Sequence, residues 1–188
     1  MVLIGEIMKL KPQHAQFLAE RIILELSRSN LVQINATLPN LNRLATTLIK
    51  EDMQQEYAIE SKARELLDAH QDTIEEDEVN EKQVFAMIKK QIAKERGFLL
   101  SYKERYSQLA HEILDALFEE SYIDFNVPEN VVKNFIIESI DSYFDFHEHA
   151  YDNAIEKIKN YKRKLIPGSE EYELIFAKLY EEELNKRG

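Results

Sequence analysis

The feature that most constrains the fold is an amphipathic pattern that runs without a break from Val132 to Leu165. Placed at 100° intervals, its apolar residues fall within one arc of about 200°, and acidic residues fill the opposite side. The pattern predicts one helix of about 35 residues, roughly 50 Å long at about 1.5 Å per residue. Because the apolar arc is wider than one neighbour would cover, two packing partners are expected, from the same chain or from a second one.

A second long helix is predicted from about residue 39 to residue 71, although the charged stretch from Asp52 to Glu56 interrupts its apolar stripe. Four Gly and four Pro leave little material for the turns of a many-stranded sheet. The predicted fold is therefore mainly α, with minor short β-strands. Shorter helices are expected near residues 12–28, 81–95, 103–119 and 170–186. Alternating segments predict short strands at 31–35 and 122–126, with which residues 98–100 and part of 2–10 could pair.

Several residues have the form of helix caps. Asn80, Ser101 and Ser169 each precede an apolar-periodic segment, as N-cap residues do. Ser101 has Glu104 three residues later, which is the spacing of a capping box. These signals predict where three of the shorter helices begin.

The two halves of the chain resemble each other when the sequence is shifted by 91 residues. Leu18-Ala19 then falls on Leu109-Ala110, and Arg96-Gly97 falls on Arg187-Gly188. From Leu18 onward, 12 of the 80 ungapped pairs are identical, where composition alone gives about five. Both halves also share one order of predicted elements. The sequence therefore predicts an internal duplication, with helical unit 1 at residues 1–97 and unit 2 at 98–188, each containing one long amphipathic helix and shorter packing helices.

Charge and composition narrow the class of protein. The formal net charge is −11, from 24 basic and 35 acidic residues, and so acidic a surface repels nucleic-acid phosphates and anionic lipid at long range. The absence of Cys excludes disulfides and thiolate metal sites, and it fits a reducing compartment. No apolar stretch approaches the length of a membrane span. The expectation is a cytoplasmic protein without a membrane segment.

Candidate chemical sites are few. His147-Glu-His149 has two imidazoles, but on a helix they lie about 200° apart, whereas helical chelation needs spacings of three or four residues. The acidic run at 75–78 lacks the spaced ligands and the glycine of a calcium loop. No catalytic motif is present. The sequence therefore predicts no catalytic, cofactor or metal site, and it leans away from an enzyme.

One basic cluster stands out near the end of the longest predicted helix. Its cations suit a helix C-terminus, where they compensate the macrodipole. Basic residues beside an aromatic ring are also able to hold a phosphate or an acidic partner. Both interpretations remain open at this point. The candidate partner surface consists of Lys157, Tyr161, Lys162, Arg163 and Lys164.

The chain resembles a known bacterial family. The segments that carry the resemblance are 160–172 (NYKRKLIPGSEEY), 179–184 (LYEEEL), 109–116 (LAHEILDA), 122–126 (YIDFN) and 81–85 (EKQVF). They are similar to the family labelled domain of unknown function 507, most closely in the second half of the chain. The resemblance implies a bacterial, cytoplasmic protein. It implies no activity and no functional residues.

The leading functional hypothesis is a non-enzymatic protein-interaction or adaptor module that acts through its long amphipathic helices. Its partner would be another protein, which the sequence does not identify, or a second copy of the chain. The alternative is a nucleic-acid- or ribosome-associated protein that uses the basic cluster at 157–164. A third class, an enzyme with a pocket between the two halves, has no motif in its favour.

Overall fold

The computed structural model describes residues 12, 14–70 and 80–186 of the chain. Within these residues six helices and one two-stranded sheet form a mainly α fold, which confirms the predicted class. No described helix combines the length and the apolar character that crossing a membrane requires. In chain order the elements are α1 His14–Arg28, β1 Gln33–Ile34, α2 Leu38–Asp68, α3 Glu81–Glu95, α4 Tyr102–Glu119, β2 Ile123–Asp124, α5 Glu129–Lys159 and α6 Glu170–Asn185.

The predicted caps are found at the starts of three helices. The Asn80 side chain accepts the backbone N–H of Lys82 at 3.0 Å, and the Ser169 hydroxyl accepts that of Tyr172 at 3.2 Å. Ser101 occupies the N-cap position of α4, but its side chain makes no capping hydrogen bond. The cap positions were therefore predictable, whereas the capping box at Ser101 does not form its side-chain bond.

The long helix predicted from Val132 to Leu165 ends earlier than expected. Helix α5 ends at Lys159 instead of Leu165, so the prediction of one helix through Leu165 is wrong at its C-terminal end. The Asn160 side chain donates a hydrogen bond to the backbone carbonyl of Glu156 at 3.1 Å, which closes the last turn. Pro167 then disfavours helical backbone in the residue before it. The segment between α5 and α6 is consequently a loop.

The two predicted strands pair with each other. Strands β1 and β2 are antiparallel, with Gln33 opposite Asp124 and Ile34 opposite Ile123. The expectation that residues 98–100 pair with these strands is wrong, because that segment leads directly from α3 to α4 without strand structure. The other expected pairing segment, within residues 2–10, lies outside the described residues.

The described residues divide into two compact units, one ending at Ser139 and the other beginning at Ile140, so the division falls within α5. In the unit that ends at Ser139, α2 packs against α1, α3 and α4, and β2 contacts α4. The division into residues 1–97 and 98–188 remains a prediction about sequence repeats. The fully buried large side chains of this unit include Tyr106, Leu18, Ile22, Ile23, Leu26, Leu41, Ile49, Ile59, Leu109, Ile113, Leu114 and Leu117.

The element boundaries agree with the 91-residue shift. Helix α2 begins at residue 38 and ends at 68, and α5 begins at 129 and ends at 159, so both boundaries differ by 91. Asn30 and Ser121, also 91 residues apart, are the non-glycine residues with a positive φ in the described chain, and both have φ 58°. The predicted duplication would give such a shared offset, and it stays a prediction.

Candidate partner-binding surface

An open cleft lies in the unit that begins at Ile140, between the C-terminal parts of α5 and α6. It has a volume of about 810 Å³. Three of the five residues of the candidate partner surface line it, namely Lys157, Tyr161 and Lys162. The complete lining, called the basic cleft below, is Asn153, Glu156, Lys157, Asn160, Tyr161, Lys162, Leu179, Glu183 and Lys186.

One buried carboxylate organises the wall of the basic cleft. The Glu183 side chain is 9% exposed and forms ion pairs with Lys157 and with Lys186, the latter at 2.7 Å. The Asn153 amide also donates to Glu183 at 3.4 Å. The hydrogen bond from Lys157, followed by that from Lys186, lowers the pKa of Glu183 to about 2. The same contact with Glu183 raises the pKa of Lys157. Lys157 therefore has an internal counter-charge.

The remaining candidate residues lie in the loop that follows α5. Tyr161 is 40% exposed, and Lys162 and Lys164 are exposed as well. Arg163 forms an ion pair with Glu171, and both side chains are at least half exposed. Within the described chain, Lys162 and Lys164 form no ion pair. The structure thus leaves the Lys162 ammonium group and the Tyr161 ring available at the rim of the cleft, and the Lys164 ammonium group exposed two residues further along the loop.

The charge of this region is opposite to that of the whole chain. Residues 155–164 contain five basic residues and one acidic residue, a formal charge of +4, whereas the chain carries −11. The loop is short, and its cations lie close together in sequence. A local positive potential on an acidic protein attracts acidic ligands at short range, while the overall charge repels them at long range.

The first half of the chain fills the equivalent place with apolar side chains. The 91-residue shift aligns Glu183 with Ile92 and Lys157 with Leu66. Ile92 is buried in an apolar cluster with Ile59, and Leu66 packs against that cluster. The second half therefore has an ion pair where the first half has an apolar contact, and this difference accompanies the basic cleft.

A match to a family model covers residues 8–188, nearly the whole chain, and the family is described as protein of unknown function (DUF507). The chain belongs to the DUF507 family. A search of curated proteins finds no match. The family assignment confirms the resemblance of the sequence, but its description names no activity that would assign a role to the basic cleft of this DUF507 chain.

The low pKa of Glu183 predicts a specific dependence of stability on pH. Its pKa falls from 4.5 to about 2 on folding, so the ion pairs stabilise the fold above about pH 4.5 and lose that contribution as the pH falls to about 2. We expect Glu183→Gln to be less stable than the wild type near pH 5 and the difference to shrink toward pH 2. Urea unfolding midpoints across that range measure it. Glu181→Gln, a substitution at an exposed position nearby, is the control. If its difference in unfolding midpoint from the wild type shrinks by the same amount between pH 5 and pH 2, the assignment to Glu183 is contradicted.

A second charged cluster of the DUF507 chain lies in the unit that ends at Ser139. Arg105 on α4 is 3% exposed, and its Nε donates to both carboxylate oxygens of Asp52 at 2.9 Å. Its Nη1 donates to Glu56 at 2.7 Å, and its guanidinium lies 4.7 Å from the ring centre of Phe98. Lys89 on α3 lies 3.5 Å from Glu56. The arrangement satisfies the guanidinium internally, which suits a structural ion network better than a ligand site.

The ion network was missed by sequence reasoning, although a signal was present. The interruption of the apolar stripe at 52–56 contains Asp52 and Glu56, the two carboxylates that Arg105 binds. Burial alone would lower the pKa of Arg105, but the hydrogen bonds that its guanidinium donates to Asp52 and Glu56 raise the pKa above its ordinary value. Burial, followed by the nearby charge of Glu56, raises the pKa of Tyr102 to about 12.

The two histidines of the 147–149 segment have different environments. His147 is buried, and its Nδ1 shares a hydrogen bond of 2.6 Å with the Tyr180 hydroxyl. It therefore faces the apolar side of α5, as the periodicity predicts. His149 is exposed, and within the described residues it forms no ion pair with Asp145 or Asp152. The segment is helical, which keeps the two imidazoles on different faces.

Proposed function

We propose that this DUF507 chain is a non-enzymatic protein-interaction module, an adaptor whose partner binds at the basic cleft through an acidic segment. The observation that carries the proposal is the open cleft of about 810 Å³ whose rim holds exposed cations on a chain of net charge −11. Charge complementarity of this kind guides encounter and fixes the register of a bound segment.

The rim and the loop that continues from it offer two kinds of contact to such a segment. Lys162 and Lys164 are exposed and supply ammonium groups for carboxylates. The Tyr161 ring, 40% exposed, supplies a large rigid surface at a low cost in side-chain entropy. Tyrosine is enriched where binding energy concentrates in protein interfaces. An acidic segment with at least one apolar side chain therefore fits the rim better than a uniformly charged polymer does.

The choice of a protein over a nucleic acid rests on charge. A nucleic acid brings a dense row of phosphates past the surface, and the acidic remainder of the chain repels it. A short acidic peptide segment places its charge only at the cleft. The acidic remainder of the surface therefore repels such a segment less than it repels a nucleic acid.

We also infer that the two halves arose by duplication and that the second half diverged toward binding. The 91-residue offset of α2 and α5 supports a duplication. The replacement of Ile92 by Glu183 at equivalent positions supports the divergence. On this proposal the protein acts in the bacterial cytoplasm, where its cysteine-free chain needs no disulfides.

The test is capture of partners by the tagged full chain in its native host, with nuclease treatment and identification by mass spectrometry. The cleft variant is Lys162→Glu/Arg163→Glu/Lys164→Glu. The matched control, Lys50→Glu/Lys82→Glu/Lys103→Glu, changes the net charge equally at exposed positions outside the cleft. We expect a protein retained by the wild type and the control to be lost from the cleft variant and to be released as salt rises.

Two outcomes would reject the proposal. If the cleft variant retained the same protein partners, the cleft would not be the surface that binds them. Loss of all retained material on nuclease treatment, before any substitution is made, would instead favour nucleic-acid or ribosome association through residues 157–164.

A further inference from the structure

A histidine and two carboxylates converge between α4 and the first residue of α5, within the unit that ends at Ser139. His111 and Asp115 lie four residues apart on α4, a spacing at which helical side chains share a face and chelate. Glu129 approaches them from the start of α5. One possible ligand atom of each residue lies within 4.8 Å of the other two. Two elements thus bring three potential metal ligands to one place.

The separations suit ligands around an ion better than direct hydrogen bonds. His111 Nε2 lies 3.4 Å from Asp115 Oδ2, and His111 Nδ1 lies 3.5 Å from Glu129 Oε1. An N–H···O hydrogen bond is about 2.7–3.2 Å long. Two ligands held about 2.0–2.1 Å from a tetrahedral zinc ion are about 3.4 Å apart. The two distances involve different nitrogens of the ring, and one ion binds only one of them. The ion would take one imidazole nitrogen and one oxygen of each carboxylate, atoms that lie within 4.8 Å of one another.

A second, independent observation concerns one atom of the imidazole. His111 Nδ1 is shielded from solvent and has no hydrogen-bond partner in the part of the chain that the structure describes. A shielded polar atom without a partner is costly, and a bound ion or a proton would offset the cost. The side chains of His111, Asp115 and Glu129 are 45%, 48% and 56% exposed, so short rotations remain open to them.

We propose that His111, Asp115 and Glu129 bind one divalent transition-metal ion of the zinc class. Imidazole nitrogen suits zinc and its neighbours, whereas Ca²⁺ and Mg²⁺ prefer sites made of oxygen ligands alone. Three protein ligands leave the remaining coordination positions to water. The ion connects α4 to the start of α5 and thereby stabilises this corner of the fold.

The site belongs to the second half of the chain alone. The equivalent positions in the first half, 91 residues earlier, are Glu20, Leu24 and Leu38. Only Glu20 among them carries a ligand group. The proposed ion site is therefore a second place, besides the basic cleft, at which the two halves differ in chemistry, and it does not depend on the proposed partner.

The test is calorimetric titration of Zn²⁺ into the full chain after treatment with a chelator. We expect one ion per chain for the wild type and a loss of affinity of at least about 10-fold in His111→Gln, Asp115→Asn and Glu129→Gln, since even outer-shell partners of a metal contribute 10–100-fold. His149→Gln is the matched control, because His149 is an exposed helical histidine with Asp145 four residues before it. We expect it to bind as the wild type does.

Thermal unfolding provides a second measurement. Excess Zn²⁺ is expected to raise the melting temperature of the wild type and of His149→Gln but not that of His111→Gln, because binding to the folded state alone stabilises it. Circular dichroism checks that each variant keeps its helices. Equal Zn²⁺ affinity in the wild type and His111→Gln would overturn the proposal. So would the absence of both binding heat and thermal shift in the wild type, which would leave the cluster as an imidazole between two carboxylates.

Discussion

Replacing Arg105 by Met is expected to lower the free energy of unfolding of the unit that ends at Ser139 by about 3–5 kcal/mol. The substitution keeps most of the side-chain volume and removes the charge that Asp52 and Glu56 share. Their side chains are 13% and 5% exposed, so solvent replaces the lost ion pairs poorly, and Lys89 remains near only one of the two carboxylates, Glu56. The cost is the penalty for unpaired buried charge. Urea unfolding followed by circular dichroism measures it through the midpoint.

Two controls separate the buried network from ordinary surface charge. Lys62→Ala breaks an ion pair with Glu65 whose side chains are 42% and 66% exposed, and its expected cost is below about 1 kcal/mol. The triple variant Arg105→Met/Asp52→Leu/Glu56→Leu replaces the network by apolar side chains and is expected to recover much of the lost stability. A cost for Arg105→Met no larger than that for Lys62→Ala would contradict the assigned role.

The second large effect is expected in the core. Ile22 on α1 and Ile113 on α4 are both 0% exposed, and they occupy equivalent positions in the 91-residue shift. Ile22→Ala and Ile113→Ala each leave a cavity in the same compact unit, with an expected loss of about 2–5 kcal/mol. If the two halves retain an equivalent core, the two losses should agree within about 1 kcal/mol. Midpoints of urea unfolding at an unchanged slope report both values.

An exposed aromatic residue on the same helix supplies the control for the core prediction. Phe17 on α1 is 60% exposed, and Phe17→Ala is expected to change stability by no more than about 0.5 kcal/mol. A large loss of stability for Phe17→Ala would show that the losses do not depend on burial. A loss for one isoleucine but not the other would show that the two positions do not serve equivalent parts of the core.

The local parts of the fold were predictable from the sequence. The 3.6-residue periodicity placed both long helices, and Asn80 and Ser169 placed the starts of two shorter ones, because periodicity and capping act between residues that are close in sequence. The end of α5 was misplaced by six residues, between Lys159 and Leu165. The apolar periodicity happens to continue into the loop, whereas the Asn160 side chain and Pro167 end the helix there.

The candidate sites were predictable only in part. The cluster at 157–164 was visible as a run of cations, but its counter-charge Glu183 lies on another helix and carried no signal of its own. The chelating spacing of His111 and Asp115 is visible in the sequence. Glu129 comes close to them only because the chain turns between α4 and α5. The amphipathic pattern did not predict the ion pair between Arg105 and Asp52.

The sequence by itself determined the helical class, the acidic charge, the family and the offset that relates the two halves. Each follows from composition, from short-range periodicity or from the order of residues along the chain. The tertiary structure alone decided that β1 pairs with β2, that Arg105 is buried between Asp52 and Glu56, and that Glu183 neutralises Lys157. Burial and charge pairing depend on neighbours that are distant in sequence, and the cost of desolvation exists only once the helices have packed.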